Sequence, residues 1–457
     1  MQRKNSASRA LALALVLAAT PVAGAGPDAG AAAPARPRNV ILMVADGCGF
    51  NHLRAGALWR DGADQFPELA SLPVRLAAST FSDGGSYDPA AYWDAGPLGQ
   101  PTTDSAAAAT ALSTGTKTRN GWLGVGPDEH PLLTIVEAME RGGRSTGLVT
   151  SVPFAHATPA GCAIHNEDRG RYVEIAQAML TSSPLDVLMG CGHPLFDRKG
   201  DPDPTPNYRW VGGEETWNGL LAGTVGGDAD GDAWPDPWTL VQEPADFAGL
   251  AAGTTPRRVL GLPRVRETLQ EQRDGDLAAD PYAVPFLATV PTLKDMALGA
   301  INVVDDDPDG FFLMIEGGAI DWTSHDGEPG RLVEEVCSFV ETVAAVRAWI
   351  DGHGGWRENL LVVTADHETG YLSGPEPADG AWPACRARVP LAPRGKGRLP
   401  GMVLNAHNHT NALVPVFAAG PGSGELAARA TRRDPVRGPY LDNTDIGAVL
   451  QEMAVGR

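Results

Sequence analysis

The sequence predicts an α/β fold, a three-layer α/β/α sandwich around a large, mostly parallel central sheet. Three short apolar runs, at residues 40–45, 311–315 and 360–365, are typical of strands that are buried on both faces. Segments with helical spacing lie between the strands, and this alternation indicates parallel pairing. Open α/β sheets bind ligands beyond the carboxyl ends of their strands. We therefore expect a binding site at that edge.

The remaining elements follow from local patterns. An alanine-rich helix is predicted at 103–114, because Thr103 or Asp104 offers a cap at its start and Gly115 ends it. Helical spacing predicts further helices, and two more apolar runs predict strands. The helices are expected at 50–60, 132–141, 293–304 and 332–350, and the strands at 145–151 and 413–419.

Two segments lack this periodicity. Residues 196–251 are dense in Asp, Gly, Pro and Trp, and residues 372–400 are rich in Pro and Arg. Neither segment has enough periodic apolar sequence for a core of its own, so both are interpreted as surface insertions. The sequence thus predicts a single domain over residues 39–457, without internal repeats.

The N-terminal segment has the pattern of an export signal. Basic residues precede an apolar stretch at 10–22, and small residues at 23–25 offer a cleavage site. We interpret residues 1–25 as a signal peptide and residues 26–38 as an Ala/Pro linker. No later apolar run approaches the roughly 18 to 20 residues of a membrane span, so no membrane anchor is expected. The predicted location is the periplasm or the medium.

The chain is strongly acidic. It has 36 basic and 56 acidic side chains, a formal net charge of −20, which becomes −23 without the three cations of the signal segment. The negative electrostatic potential of such a chain argues against binding to nucleic acids and anionic membranes, which depends on basic patches. It does not exclude an anionic substrate, because bound metal ions can invert the local potential.

Five cysteines in an exported chain leave at least one unpaired. Two bridges and one free thiol can be arranged in about fifteen ways. Our hypothesis pairs Cys162 with Cys191 and Cys337 with Cys385. Cys48 then stays free, as a small buried residue in the turn after the first strand.

Carboxylates and imidazoles follow the apolar runs closely. Their gathering at one sheet edge indicates a metal site with several ions, and zinc fits these ligands best. An isolated Asp-His pair is usually a solvated turn, but three such groups after buried strands are not. The residues concerned are Asp46, Glu316, Asp321, His325, Asp366, His367 and His409.

Ser105 is the predicted nucleophile. It lies in the first turn of a helix, where unpaired backbone donors and the helix dipole stabilise an alkoxide and hold a phosphate. Taken alone, the same serine would be read as a helix cap. The nearby set of metal ligands favours the nucleophile.

At these motifs the chain resembles the alkaline phosphatases. The resemblance rests on Asp46-Gly47, on residues 103–107 and on His409-Thr410, in this order and over most of the chain. It implies two zinc ions and a third metal, usually magnesium. By that likeness the first zinc is held by Asp321, His325 and His409. The second is held by Asp46, Asp366 and His367 beside Ser105, and the third metal by Asp46, Thr158 and Glu316.

The resemblance also implies a phosphate-binding arginine. Arg169 stands thirteen residues after His156, at the family's spacing, and a guanidinium matches two phosphate oxygens. Arg171, or a plain surface ion pair, is the alternative. The enteric bacterial form of the family has Asp and Lys where this chain has His156 and Trp322. This departure beside the third metal puts its magnesium in question.

An acidic loop suggests a separate calcium site. Alternating aspartates with a further one resemble the calcium loops of dockerin and thrombospondin-type repeats, although the loop lacks the glycine and closing glutamate of an EF-hand. The alternative is a merely acidic loop, and no catalytic role is expected. The residues are Asp228, Asp230, Asp232 and Asp236.

Together these features predict metal-dependent hydrolysis of small phosphate monoesters through a phosphoserine, with release of inorganic phosphate. Thr158 and Glu316 are expected to position a water or hydroxide for Ser105. The alternatives are a phosphodiesterase on the same scaffold, or an inactive exported protein that binds phosphate or calcium. Sulfatase activity is disfavoured, because the Cys/Ser-x-Pro-x-Arg pattern is absent around Ser105. The resemblance further suggests a homodimer.

Overall fold

The structure is a computed structural model that describes residues 36–229 and 234–454. The predicted signal peptide, residues 26–35 of the predicted linker, and Asp230 and Asp232 of the acidic loop lie outside the described residues. Residues from Arg36 onward form one compact unit.

A large sheet organises the described chain. Its eleven strands run in the order β14-β15-β2-β13-β8-β1-β7-β3-β4-β6-β5, and all neighbours are parallel except those of β13 and β14. The predicted large, mostly parallel sheet is thus confirmed. The strands are β1 (Asn39–Ala45), β2 (Val74–Ser79), β3 (Ser145–Pro153), β4 (Val187–Cys191), β5 (Thr239–Val241), β6 (Val259–Gly261), β7 (Phe311–Gly317), β8 (Asn359–Thr364), β9 (Glu368–Thr369), β10 (Leu372–Ser373), β11 (Val403–Leu404), β12 (His409–Thr410), β13 (Val414–Ala419), β14 (Arg432–Asp434) and β15 (Gly438–Asp442).

Two groups of helices cover this sheet. Helices α1, α9, α10 and α12 pack against one another, while α4, α5, α6 and α14 form the second group, and both groups contact β3 and β7. Among the described residues no helix has the length and apolar character needed to cross a membrane. The helices are α1 (Phe50–Arg60), α2 (Pro67–Ala70), α3 (Pro89–Ala95), α4 (Ser105–Thr114), α5 (Ile135–Arg141), α6 (Ala157–Ala163), α7 (Tyr172–Thr181), α8 (Glu214–Leu221), α9 (Pro244–Leu250), α10 (Leu293–Val304), α11 (Ala319–Asp326), α12 (Pro329–Gly352), α13 (Ser423–Arg429) and α14 (Asn443–Ala454).

The central strands explain the apolar runs. Every residue of β1, β7 and β8 is buried, because helices cover the sheet on both sides. A strand that meets apolar neighbours on both faces needs no alternation of polar and apolar residues. The predicted three-layer α/β/α arrangement follows from this packing.

Most helix boundaries match the sequence patterns. The helix predicted at 103–114 begins only at Ser105, because Asp104 is its cap and accepts a hydrogen bond from the Ala107 N–H at 2.9 Å. Gly115, in the left-handed conformation, ends it. Thr134 likewise starts α5 three residues later than predicted, through a capping box with Glu137.

The prediction of a surface insertion is incomplete for residues 196–251. This segment supplies β5, which pairs with β6 at the edge of the main sheet. Trp238 and Phe247 are buried in the main core. The segment was misjudged because β5 has only three residues, too few to show a period. Residues 372–400 form only β10 and a short 3₁₀ helix.

The predicted disulfides are wrong. All five cysteines are buried free thiols. Cys162 lies on α6 and Cys191 at the end of β4, where its thiol contacts the Ser151 carbonyl. Cys337 faces the main core, with its thiol near the Gly56 carbonyl, whereas Cys385 packs in a separate cluster. A disulfide requires adjacent, facing Cβ atoms, which sequence spacing does not report.

Candidate active site

The sheet brings three predicted carboxylates to one level. Val44 of β1 pairs with Glu316 of β7 on one side and with Thr364 of β8 on the other. Asp46 follows β1 and Asp366 follows β8, each within two residues of these positions. Strand register therefore places all three at the carboxyl edge of the central strands, as predicted.

Gly47 makes the turn after β1 tight. Its φ is +71°, a left-handed conformation that favours glycine, and its N–H donates to Asp366 Oδ1 at 3.1 Å. A Cβ at this position would lie 2.7 Å from the Cα of Asp321. Glycine thus allows the β1 turn to approach α11, which carries Asp321.

A small two-stranded sheet joins the histidine segments. In it β9 pairs with β12, so that His409 faces Thr369. The imidazole rings of His367 and His409 stack with their centroids 3.6 Å apart. His409 Nδ1 is 2.9 Å from the Thr103 carbonyl oxygen, an acceptor that leaves Nε2 directed to the site.

The first predicted zinc set converges around Asp321. Its Oδ1 is 3.4 Å from His325 Nε2 and 3.6 Å from His409 Nε2, and these two nitrogens are 3.1 Å apart. His325 Nδ1 is 2.5 Å from the His407 carbonyl oxygen. Because a carbonyl only accepts, Nδ1 carries the proton and the neutral ring presents Nε2 as a lone-pair donor.

The second predicted zinc set is fully buried. His367 Nε2 is 3.2 Å from Asp366 Oδ2, 3.6 Å from Asp46 Oδ1 and 3.2 Å from the Ser105 hydroxyl. On its other side, His367 Nδ1 is 3.2 Å from Thr369 Oγ1, which donates to Asp321 Oδ1 at 2.5 Å. One threonine thus orients ligands of both sets.

Several buried oxygens of this region have no hydrogen-bond donor among the described residues. The cost of burying a carboxylate without donors is high unless a cation balances it, so this pattern fits a metal centre. Burial, then the neighbouring carboxylates, raise the pKa of Asp46. Burial and Asp321 raise the pKa of Asp366 to about 7. The buried atoms without a hydrogen-bond partner include both carboxylate oxygens of Asp46, Asp366 Oδ2, Glu316 Oε1 and Thr158 Oγ1.

The predicted third metal position involves a hydrogen-bonded carboxylate, Glu316, and a histidine, His156, where the enteric form of the family has an aspartate. Glu316 Oε2 accepts a hydrogen bond from Thr150 at 2.5 Å, which leaves Oε1 available. The imidazole of His156 lies against the Trp322 ring, at 5.7 Å between centroids. Burial, then the charges of Arg169 and Arg209, lower the pKa of His156 to about 3. Its ring is therefore neutral and adds no negative charge.

Ser105 and Arg169 share one open cavity of about 450 Å³. An Arg169 guanidinium nitrogen donates to Asp104 Oδ2 at 3.0 Å, and Asp104 also accepts from the Gly121 N–H at 3.0 Å. The rival, Arg171, is exposed and pairs with Asp168 and Glu174. The cavity is lined by Ser105, His156, Arg169, Gln272, Asp321, Trp322, His325, Asp326 and His409.

The predicted calcium loop is only partly described. Asp236 Oδ2 accepts a hydrogen bond from the Ala229 N–H at 3.0 Å, and Asp228 lines a surface cavity. Because Asp230 and Asp232 lie outside the described residues, calcium binding by this loop stays a prediction.

Sequence reasoning missed several supporting residues. Asp104 was interpreted only as a helix cap, yet it also holds Arg169. Thr369, Thr150 and Gln272 were not identified at all. Thr369 could have been found, since it stands two residues after His367 and therefore near the same edge. Nothing in the sequence around Gln272 indicates that the segment after β6 reaches the site.

Comparisons with known proteins identify one family, the alkaline phosphatases. A family model described as "Alkaline phosphatase" matches residues 37–387. Alkaline phosphatase 4 of Bacillus subtilis is 30% identical over 342 residues, which cover 73% of this chain and 62% of that protein. Streptomycin-6-phosphate phosphatase of Streptomyces griseus is 29% identical over 446 residues, which cover 89% of this chain and 90% of that protein.

The fold is also similar to solved structures. Alkaline phosphatase from the Antarctic bacterium TAB5 aligns with a TM-score of 0.63 and 23% identity, over 92% of this chain and 98% of that one. A variant of the same protein, solved with Mg bound in its M3 site, aligns with a TM-score of 0.62 and 24% identity, over 92% and 99% of the two chains. At this identity the likeness supports the fold.

Proposed function

This chain belongs to the alkaline phosphatase family, and we propose that it hydrolyses phosphate monoesters through a phosphoserine at Ser105. The observation that carries this proposal is the position of the Ser105 hydroxyl. It lies at the start of α4, 3.2 Å from His367 Nε2, in the cavity that Arg169 also lines. Ser105, Arg169 and the first predicted zinc set thus line one cavity, and the buried second set reaches Ser105 through His367.

The chain's own residues suit an in-line phosphoryl transfer. Arg169, held by Asp104, would bind two phosphoryl oxygens and aim phosphorus at Ser105. Ser105 Oγ gives up its proton to solvent and forms a bond to phosphorus while the bond to the ester oxygen breaks; the ester oxygen takes up a proton from water and leaves as the alcohol. The N-terminus of α4 stabilises the charged serine oxygen. Water then cleaves the phosphoserine, which releases inorganic phosphate and restores the hydroxyl.

We propose the metal assignments residue by residue. Asp321, His325 and His409 would hold one zinc ion, and Asp46, Asp366 and His367 the other. Bound zinc would supply charge for the serine and leaving-group oxygens and would lower the pKa of a water molecule.

We propose magnesium for the third position, at Asp46, Thr158 and Glu316. The unpartnered oxygens of these three residues support a cation there. The magnesium in the TAB5 variant supports a third metal within this fold. With magnesium bound there, Thr158 and Glu316 would orient a water molecule or hydroxide beside Ser105.

A monoester is favoured over a diester as substrate. The relative of similar length is named for a phosphate monoester substrate. Purified protein should release phosphate from p-nitrophenyl phosphate much faster than it cleaves bis(p-nitrophenyl) phosphate. A faster diester reaction would make the chain a phosphodiesterase.

Residues 1–25 lead us to propose export to the periplasm or the medium.

Replacing Arg169 with lysine should lower kcat/KM by about 100-fold, since an ammonium group cannot bind two phosphoryl oxygens as a fork. The matched control is Arg171→Lys, which changes the exposed rival arginine and should leave kcat/KM within about twofold. Steady-state kinetics on p-nitrophenyl phosphate measure both. Equal losses in the two variants would contradict the assignment of Arg169.

Replacing His156 with aspartate should increase the response of activity to added magnesium. A carboxylate two residues before Thr158 supplies the hard, anionic oxygen that Mg²⁺ prefers and that the neutral imidazole lacks. We expect the half-saturating magnesium concentration to fall by about tenfold or more. The control is His165→Asp, at a partly exposed histidine that contacts the Leu132 carbonyl outside the cavity. No change in magnesium dependence would place His156 away from the third metal.

A further inference from the structure

A second group of carboxylates lies beside the active-site cavity. One ligand oxygen from each of Glu271, Asp326 and Glu328 lies within 4.8 Å of the other two. They line a cavity of about 230 Å³, and Asp326 and Gln272 line both this cavity and the catalytic one. None of the three carboxylates belongs to the predicted metal ligands described above.

Two of the three side chains are buried. Glu271 is 2% exposed and Glu328 is 6% exposed. Glu328 precedes α12, yet its carboxylate caps none of the helix N–H groups, and its Oε2 has no hydrogen-bond partner. The Glu271 carboxylate accepts a long hydrogen bond from Thr268 Oγ1, at 3.4 Å. The Glu328 carboxylate thus retains a buried oxygen to which no donor in the described chain is hydrogen-bonded.

Protein cations balance this group only in part. Arg331 Nε is 3.6 Å from Glu328 Oε2, but it donates no hydrogen bond there, and the guanidinium binds the carbonyls of Gln270 and Arg273 at 3.1 and 2.9 Å. Arg273 is paired with Glu334 at 2.7 Å. Arg273 and the exposed Arg198 also line the cavity, but within the described residues only Arg331 forms an ion pair with one of the three carboxylates. Burial, then Glu335, Glu328 and Asp326, raise the pKa of Glu271 to about 8.

We propose that Glu271, Asp326 and Glu328 form a further cation site, which binds a hard divalent ion, with calcium as the ion it fits best. The ligands are all oxygens, which favours calcium or magnesium over zinc. Calcium accepts irregular carboxylate geometry, whereas magnesium demands a near-ideal octahedron. The close approach of the three carboxylates and the unsatisfied Glu328 oxygen support this assignment.

The position gives the site a structural consequence. Asp326 is the last residue of α11, Glu328 directly precedes α12, and Glu271 belongs to the segment between β6 and α10. A cation would fasten that segment to the α11–α12 junction. Asp326 directly follows His325, so the cation would also fix the end of the helix that carries Asp321 and His325.

Counting bound calcium tests this proposal independently of catalysis. Zinc-loaded full-length protein is dialysed against ⁴⁵Ca²⁺ over about 10 µM to 10 mM, the range of many protein calcium sites. We expect Asp326→Asn, Glu271→Gln and Glu328→Gln each to bind one calcium ion fewer per chain than the unaltered protein. Asp326 is exposed, so that variant should fold even if a buried substitution prevents folding; zinc content and circular dichroism verify each variant.

Two controls locate the ion. Asp274→Asn removes an exposed carboxylate that lines the same cavity but lies outside the group, and should retain the calcium. Asp230→Asn probes the separate acidic loop. Equal calcium counts in the unaltered protein and in Asp326→Asn would overturn the proposal. So would a loss that occurs only in Asp230→Asn, or one that Asp274→Asn shares.

Discussion

Replacing Ser105 with alanine should abolish phosphate release, with kcat lower by on the order of 10⁴-fold or more, while zinc content and fold persist. The hydroxyl is the group that would form the covalent bond to phosphorus, and no other serine or threonine lines the catalytic cavity of the described structure. Loss of one hydroxyl leaves the carboxylates and imidazoles of both metal sets in place. The defect should therefore lie in chemistry rather than in folding.

Ser113→Ala is the matched control, because it makes the same substitution in α4 at a buried serine outside the cavity. Ser113 Oγ accepts a hydrogen bond from the Ile135 N–H at 2.9 Å, so its loss should cost about 1 kcal/mol of stability and no activity. Turnover of p-nitrophenyl phosphate, trapping of labelled phosphoserine and zinc analysis are measured on both variants. Full activity of the Ser105 variant would exclude the phosphoserine mechanism.

The positions of the strand ends were predictable because the residues of each strand determine them locally. A run such as residues 40–45 has to be covered on both faces, and the carboxyl ends of parallel strands share an edge. Asp46, Glu316 and Asp366 could therefore be assigned to one site before their contacts were known. The pairing of Val44 with both Glu316 and Thr364 places them at the predicted edge.

Contacts between distant segments could not be predicted in the same way. The bond from Thr369 to Asp321 depends on the pairing of β9 with β12, and each of these strands has only two residues. Strands this short leave no period to detect. The disulfide hypothesis failed because sequence spacing does not report which cysteines face each other. The fold places Cys337 and Cys385 in separate clusters.

Two residues of the site, Asp104 and Thr369, each contact two different functional groups. Asp104 caps α4, which begins with Ser105, and the same carboxylate holds Arg169. Thr369 bridges Asp321 and His367, one ligand from each predicted zinc set. A disturbance at either residue should thus affect two functions together, nucleophile with phosphate binding or one metal set with the other.

Removing the metals should abolish activity and should destabilise the protein more at pH 8 than at pH 5. Without cations, Asp366 keeps its pKa at about 7, against an ordinary value of 3.8. A carboxyl whose pKa is raised by folding stabilises the fold below its unfolded pKa, and this stability is lost as pH rises through its folded pKa. At about 1.4 kcal/mol per pH unit, Asp366 alone would destabilise the metal-free fold by about 4 kcal/mol above pH 7.

Zinc reverses this trend, because cations hold the same carboxylates as anions and bind more tightly as ligand protons leave. The difference in Tm between zinc-loaded and chelated protein should therefore widen steadily from pH 5 to pH 8. Calorimetry of both forms at each pH measures it, and two zinc ions per chain should restore activity and Tm together. A difference in Tm that stays constant or narrows toward pH 8 would show that the Asp46 and Asp366 carboxylates do not face the ions. An enzyme that remains active without metal would contradict the mechanism itself, since Ser105 and Arg169 would then suffice.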